Sequence, residues 1–193
     1  MIMGVVDFNE HQYGAYHNNP VNIGIHMTFV PLILAATLTL ATNTPVLINL
    51  PEQIIVPYLP LNLGTITAIL YGIFYMLLEP VAGTALFPIL LGWAAYSNHL
   101  TKTIPSISNK IAIFVEIISW IAQFLGHGLY EGRAPALLDN LVQALVLAPF
   151  FVFMEILFRL GYRPELQKRI NAAVEKEIKK FKTTRAAQSK KSC

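Results

Sequence analysis

The sequence predicts an all-α, polytopic membrane helical bundle of about four transmembrane helices plus one amphipathic or fifth helix. Of the 193 residues 54% are hydrophobic, and the mean hydropathy is +0.52. Charged residues make up 13%, about half the quarter that a soluble domain of this size carries. A window of about 19 residues then finds four apolar stretches long enough to cross a bilayer. Residues 1–162 read as one membrane-embedded domain and 163–193 as a basic tail.

Met1–Tyr16 is mixed polar and lacks the apolar core of a cleavable signal peptide, so the first span is expected to direct insertion. That span, Ile23–Ala41, opens after Asn19-Pro20, where Asn suits an N-cap and Pro the first helical position. Pro51–Pro60 is proline-broken and reads as a loop or a re-entrant stretch. Leu61–Leu78 is the second span, and Glu79-Pro80 a tight hairpin into the third, Val81–Asn98. Ile111–Tyr130 is the fourth. Pro135–Leu160 is apolar but interrupted by Asp139, Asn140, Gln143, Pro149 and Glu155. It fits a fifth span or an interfacial amphipathic helix. Pro164–Lys182 reads as a basic amphipathic helix of the kind that lies on an anionic leaflet.

Ten of the fourteen Lys and Arg fall between Arg163 and Lys191, against three acidic residues. The positive-inside rule therefore places the C-terminus in the cytosol. Four spans put both termini there, provided Pro135–Leu160 does not cross. Lys190-Lys191-Ser192-Cys193 resembles a dilysine signal for retention in the endoplasmic reticulum, with a solvated basic tail as the plain alternative. The single cysteine, Cys193, allows no internal disulfide and forms no prenylation box.

The chemistry rests on five histidines. His127 ends an apolar span, where an ionisable group is costly enough to mark a site. At 100° per residue Glu116, Gln123 and His127 fall within about 40° of one another, and Glu131 follows His127 at i+4. His17 and His26 flank the Asn19-Pro20 break, which lets both rings converge. The four-span topology brings His26 and His127 to the same membrane face. It places His99 at the other face unless the third helix is short or bends near Pro88. His11 reads as solvated.

Imidazoles with a carboxylate and open positions suit iron chemistry with dioxygen, and five histidines are too few for the clustered boxes of a di-iron membrane desaturase. A haem held between two axial histidines and a non-enzymatic scaffold or lipid-binding protein remain as alternatives. No phosphate-binding loop, zinc pattern, nucleophile elbow or nucleic-acid signature is present.

Three motifs carry a family resemblance. They are Tyr16-His17-x-Asn19-Pro20-x-Asn22-x-x-x-His26, Trp120-x-x-Gln123-Phe124-x-Gly126-His127-Gly128-x-x-Glu131, and Pro135-Ala136-Leu137-x-Asp139-Asn140-Leu141-Val142-Gln143. Together they resemble the fungal 2-hydroxy-palmitic acid dioxygenase family, over about Gly14 to Gly161. The resemblance implies an Fe(II)-dependent enzyme of the endoplasmic reticulum membrane. It would act with O2 in fatty acid α-oxidation during phytosphingosine breakdown, shortening a 2-hydroxy fatty acid by one carbon. His17, His26 and His127 would be the iron ligands, with His99 a further candidate. Asn18 stands where some relatives are expected to carry a second histidine. Glu131 would be a ligand or would orient an imidazole. Arg133 would pair with the substrate carboxylate or else face lipid.

Overall fold

The structure, a computed structural model, describes residues 19–51, 56–131 and 143–176, and every regular element among them is helical. α1 spans Pro20–Ala41, and the Asn19 side chain accepts from the Val21 N–H at 2.9 Å, so the Asn-Pro pair caps the helix as expected. α2 spans Leu63–Leu78, capped by Asn62 accepting from Thr65 N–H. Glu79 ends α2 and begins α3 (Pro80–Thr103). It is extended (φ −144°, ψ 106°), and its carboxylate accepts from the Ala82 N–H at 2.6 Å, which closes the hairpin in one residue. α4 (Pro105–Leu125) follows after Ile104 and continues as a π-helical turn, Gly126–Glu131. A second π-helical turn, Gln143–Leu147, leads into α5 (Ala148–Arg159), and the chain then bends by 119° into α6 (Pro164–Lys176).

Among the described residues three helical stretches are long and apolar enough to cross a membrane, Pro20–Ala41, Pro80–Thr103 and Pro105–Tyr130, and the bent pair Leu145–Arg159 and Pro164–Lys176 makes a fourth if it counts as one span. The 16 residues of α2 rise about 24 Å and make a shorter apolar helix beside them. α1 packs chiefly on α4, and α2 on α3. The α2–α3 contact is close because a Cβ at Gly83 would run into the α2 backbone at Tyr75 and Met76. Large apolar side chains of α4 such as Ile111, Phe114, Ile117 and Ile121 point outward, while Ser108, Ser119 and Gln123 point in. That inversion suits a hydrocarbon surround, which rewards no inward burial of apolar groups and penalises exposed polar ones.

The spans predicted as Val81–Asn98 and Ile111–Tyr130 are both longer at one end of the bundle, because their added turns carry groups that bond within it. Asn62 donates to Asn98 (2.6 Å), Asn98 to Thr65 (3.0 Å), Thr42 meets Thr101 (3.2 Å) and Asn43 meets Asn109 (2.9 Å). The opposite end carries Glu79 and the N-terminal turns of α1.

Of Pro135–Leu160 the described residues 143–160 form the second π-helical turn and α5, which passes as a span only together with α6 beyond the 119° bend, as a broken span or a re-entrant pair. α5 has 12 residues, about 18 Å, too short for the roughly 30 Å hydrocarbon core. Its two ends are tied to the last turns of α2. Tyr71 and Tyr75 donate to the carbonyls of Leu145 and Val146 (3.1 and 2.8 Å), while Tyr162 and Arg163 reach Glu79 (3.1 and 2.9 Å). Burial and then this bond to Glu79 push the Tyr162 phenol above its usual 10.0, so it stays a donor. Phe150, Phe151, Met154 and Phe158 enter the main core. α6 is amphipathic as expected, but Leu166 and Ile170 pack onto that same core, so the basic segment starts attached to the bundle.

Glu79 is buried and Arg163 about one-third exposed. Removing one partner of a buried pair leaves a charge without its counter-ion. Arg163→Ala should therefore cost about 2 kcal/mol, scaled down from the fully buried case for the exposed arginine. Adding Glu79→Gln should recover part of the loss, read as thermal unfolding in detergent.

A buried histidine pair as the candidate site

His26 stands in the second turn of α1, and His127 in the π-helical turn after α4. Both are buried, at 5% and 2% exposure. Their rings meet edge to face, with centroids 4.9 Å apart and planes at 84°. The His26 Nδ1 lies 2.9 Å from the Asn22 carbonyl oxygen. A carbonyl only accepts, so Nδ1 carries the proton and Nε2 the lone pair. That bond links i to i+4 within α1, so the helix itself sets the ring's tautomer.

The π-helical turn begins where α4 lies tight against α1. A Cβ at Gly126 would strike the Asn22 side-chain oxygen, with Ile25 next to it. Asn22 is fully buried, so it holds His26 through its carbonyl and lies against the residue before His127 through its side chain. π-helical turns recur at functional sites because the wider turn re-aims side chains.

The polar stripe expected on α4 faces α1. Glu116 accepts from Thr37 on α1 (3.3 and 3.4 Å) and from Trp120 (2.9 Å). Gln123 is buried one turn before His127, and Ser119 one turn before that. Asn22 and Ser119 were missed as site residues. Asn22 had a signal, because it precedes His26 at i+4 inside the Asn-Pro motif, and Ser119 had only its position near the stripe.

His99 does not join the pair. It is exposed, and its ring packs edge-on against Tyr58 at 5.5 Å. α3 stays helical through Pro88, so the chain reaches His99 at the end marked by Thr42 and Thr101. Sixteen residues of α1 separate His26 from Thr42, about 24 Å. His17 and Arg133 fall outside the described residues, as does the Glu131 side chain, whose backbone closes the π-helical turn. Among the described residues no cluster of three or more His, Cys, Asp or Glu is placed to hold a metal.

These features define an apolar helical bundle with membrane-length helices and two buried imidazoles facing each other across a helix pair at one end. The chain belongs to the 2-hydroxy-palmitic acid dioxygenase Mpo1-like family, whose model matches residues 6–160. It is 36% identical over 165 residues to the 2-hydroxy-palmitic acid dioxygenase MPO1 of Saccharomyces cerevisiae (strain ATCC 204508 / S288c), covering 84% of this chain and 86% of that protein. No solved structure matches the chain.

Gly126 and Gly128 flank His127, and only Gly126 lacks room for a methyl group. Gly126→Ala should lower stability by about 1–2 kcal/mol through overpacking against Asn22. Gly128→Ala should be neutral or slightly stabilising, because its Cβ meets open space and Ala is the better helix former. Paired thermal unfolding curves in detergent check the opposite signs.

Proposed function

We propose that this chain is an Fe(II)-dependent dioxygenase that shortens long-chain 2-hydroxy fatty acids by one carbon. The observation that carries the reading is the buried His26–His127 contact, at 4.9 Å, inside a chain of this family. The reaction R–CHOH–COOH + O2 → R–COOH + CO2 + H2O balances in atoms, and O2 takes up the four electrons released. It therefore needs no external reductant.

Two imidazoles fit an iron site in their donor chemistry. His26 is held in the tautomer that leaves Nε2 available as a donor, and the α1–α4 contact brings His127 beside it. His17 and Glu131 are the residues proposed to complete the set, Glu131 as a ligand or as an acceptor that orients an imidazole. A ferrous ion bound there would supply a centre for O2 activation. The protein's own contribution is to bury both rings, which excludes water and limits side reactions. Arg133 is proposed to pair with the substrate carboxylate.

The edge contact between the rings leaves no layer for a porphyrin between them, which speaks against the haem alternative. On the proposed reading the acyl chain reaches the site from the bilayer. The site end, which carries Glu79, Arg159, Arg163, Lys168 and Arg169, faces the cytosol. Residence in the endoplasmic reticulum and a part in phytosphingosine breakdown extend the same proposal, supported by the family.

Detergent-purified protein given Fe(II), O2 and 2-hydroxypalmitate should yield pentadecanoate by mass spectrometry. His127→Ala should lose more than the roughly 10- to 100-fold that a missing supporting group costs. No product from the wild type, or equal product from the variant, overturns the assignment. Orientation has its own test in the single cysteine. In sealed, right-side-out microsomes Cys193 should react with an impermeant maleimide before the membrane is opened, and reaction only after detergent places the tail in the lumen.

A further inference from the structure

Gln123 is the polar group that the proposed chemistry leaves unused. It is 5% exposed, and its Nε2 has no hydrogen-bond partner among the described residues. The Ser119 hydroxyl, one turn further along α4, is 1% exposed and is likewise without a partner among them. Buried donors in native proteins are nearly always satisfied, and each exception asks for an explanation. Leaving such a group bare costs more than replacing it with an apolar one of the same shape, so packing alone gives no reason for a glutamine here. Nothing else on α4 is built this way, since Glu116, also on the stripe, has both Thr37 and Trp120 as partners.

The bare donors sit where a ligand of the histidine pair would arrive. Gln123 precedes His127 by four residues on the inward face of the helix, which brings the two side chains to about 5–6 Å between Cβ atoms. The His127 side chain also leans back over the turn that carries Gln123. A buried donor with no acceptor among the described residues, in a seam beside a proposed catalytic centre, matches a ligand that brings acceptor oxygens and no donors of its own to that spot. A carboxylate is such a group, and it forms a stronger, charge-assisted bond with an amide N–H than a neutral oxygen does.

We propose that the Gln123 side-chain amide is a substrate-binding donor that takes the carboxylate of the 2-hydroxy acid beside the His26–His127 pair. This rests on the proposed function, since it assumes that such an acid is the ligand. It assigns recognition of the acid group to α4 itself, within the bundle and independently of any metal.

The test measures equilibrium binding to metal-free, detergent-purified protein with two ligands of equal chain length, 2-hydroxypalmitate and hexadecane-1,2-diol. The diol keeps the hydroxyl at the second carbon and lacks the carboxylate. Wild type should prefer the acid. Gln123→Leu should weaken acid binding by about 10- to 100-fold, the value of a hydrogen bond to a charged group. Diol binding should change little, so the acid-to-diol preference falls by the same factor. Gln123→Glu, which sets a carboxylate against the ligand's, should weaken the acid further still. A preference unchanged in Gln123→Leu overturns the proposal, whatever happens to stability, because a ratio taken on the folded fraction is insensitive to partial unfolding. Thermal unfolding gives a second reading: a binding donor predicts equal or higher stability for the leucine variant, and a structural amide predicts lower. A wild type that turns over no 2-hydroxy acid sinks the functional reading instead, and so separates the two failures.

Discussion

Antiparallel contact between α1 and α4 sets the register on which the site depends. Eleven residues separate His26 from Thr37 on one helix, and eleven separate Glu116 from His127 on the other. The Thr37–Glu116 hydrogen bond and the His26–His127 ring contact therefore belong to one registration of the two helices. A slip by a single residue would rotate each helix by about 100° relative to its partner and turn the polar stripe toward lipid. Polar groups in hydrocarbon tolerate that poorly, so the groups that make the seam also hold it in place.

The rest of the molecule steadies this pair. At one end, Asn43, Asn62, Asn98, Thr42 and Thr101 tie α1 to α2, α3 and α4 through side-chain bonds. At the other, Glu79 joins the α2–α3 hairpin to the segment after α5. α5 lies between, with Val152 and Ala148 against Val30 of α1, one turn beyond His26, and Phe150 stacked on Tyr75 of α2. Helices in lipid gain little from apolar contact alone. A short helix inserted at one end must therefore be fixed by polar ties, which is where the two tyrosine–carbonyl bonds and the Glu79 pair are found.

Much of this was legible in the sequence because hydropathy and helical period act locally. The four apolar segments, the Asn19 cap, the Glu79-Pro80 hairpin and the inward stripe on α4 all follow from neighbours within a turn or two. The convergence of His26 and His127 was legible too, since topology alone assigns each helix end to a face; the same argument put His99 at the other face, yet the family resemblance kept it as a candidate ligand. What the sequence hid were features decided by remote partners. The path of α5 depends on tyrosines more than seventy residues away. The roles of Asn22 and Gly126 depend on the distance between two helices rather than on either one. The extra turns of α3 and α4 depend on polar bonds that a hydropathy window scores as a reason to stop.

The seam also explains how a membrane site can bind an acid with few charges of its own. A carboxylate leaving water for hydrocarbon pays several kcal/mol unless its oxygens are met. A fixed lysine or arginine in the seam would pay the same penalty whenever the site stood empty. A neutral amide and neutral imidazoles cost far less in the empty state, yet still offer donors and lone pairs once a ligand is present. Charge balance would then come from the bound ion and from Arg133 rather than from the seam, in which Gln123, Ser119, His26 and His127 are all buried and Glu116 accepts hydrogen bonds from Thr37 and Trp120. On the proposed function, the Gln123 amide and Arg133 discriminate acid from alcohol without the ion, and with it the same head group gains a further counter-charge.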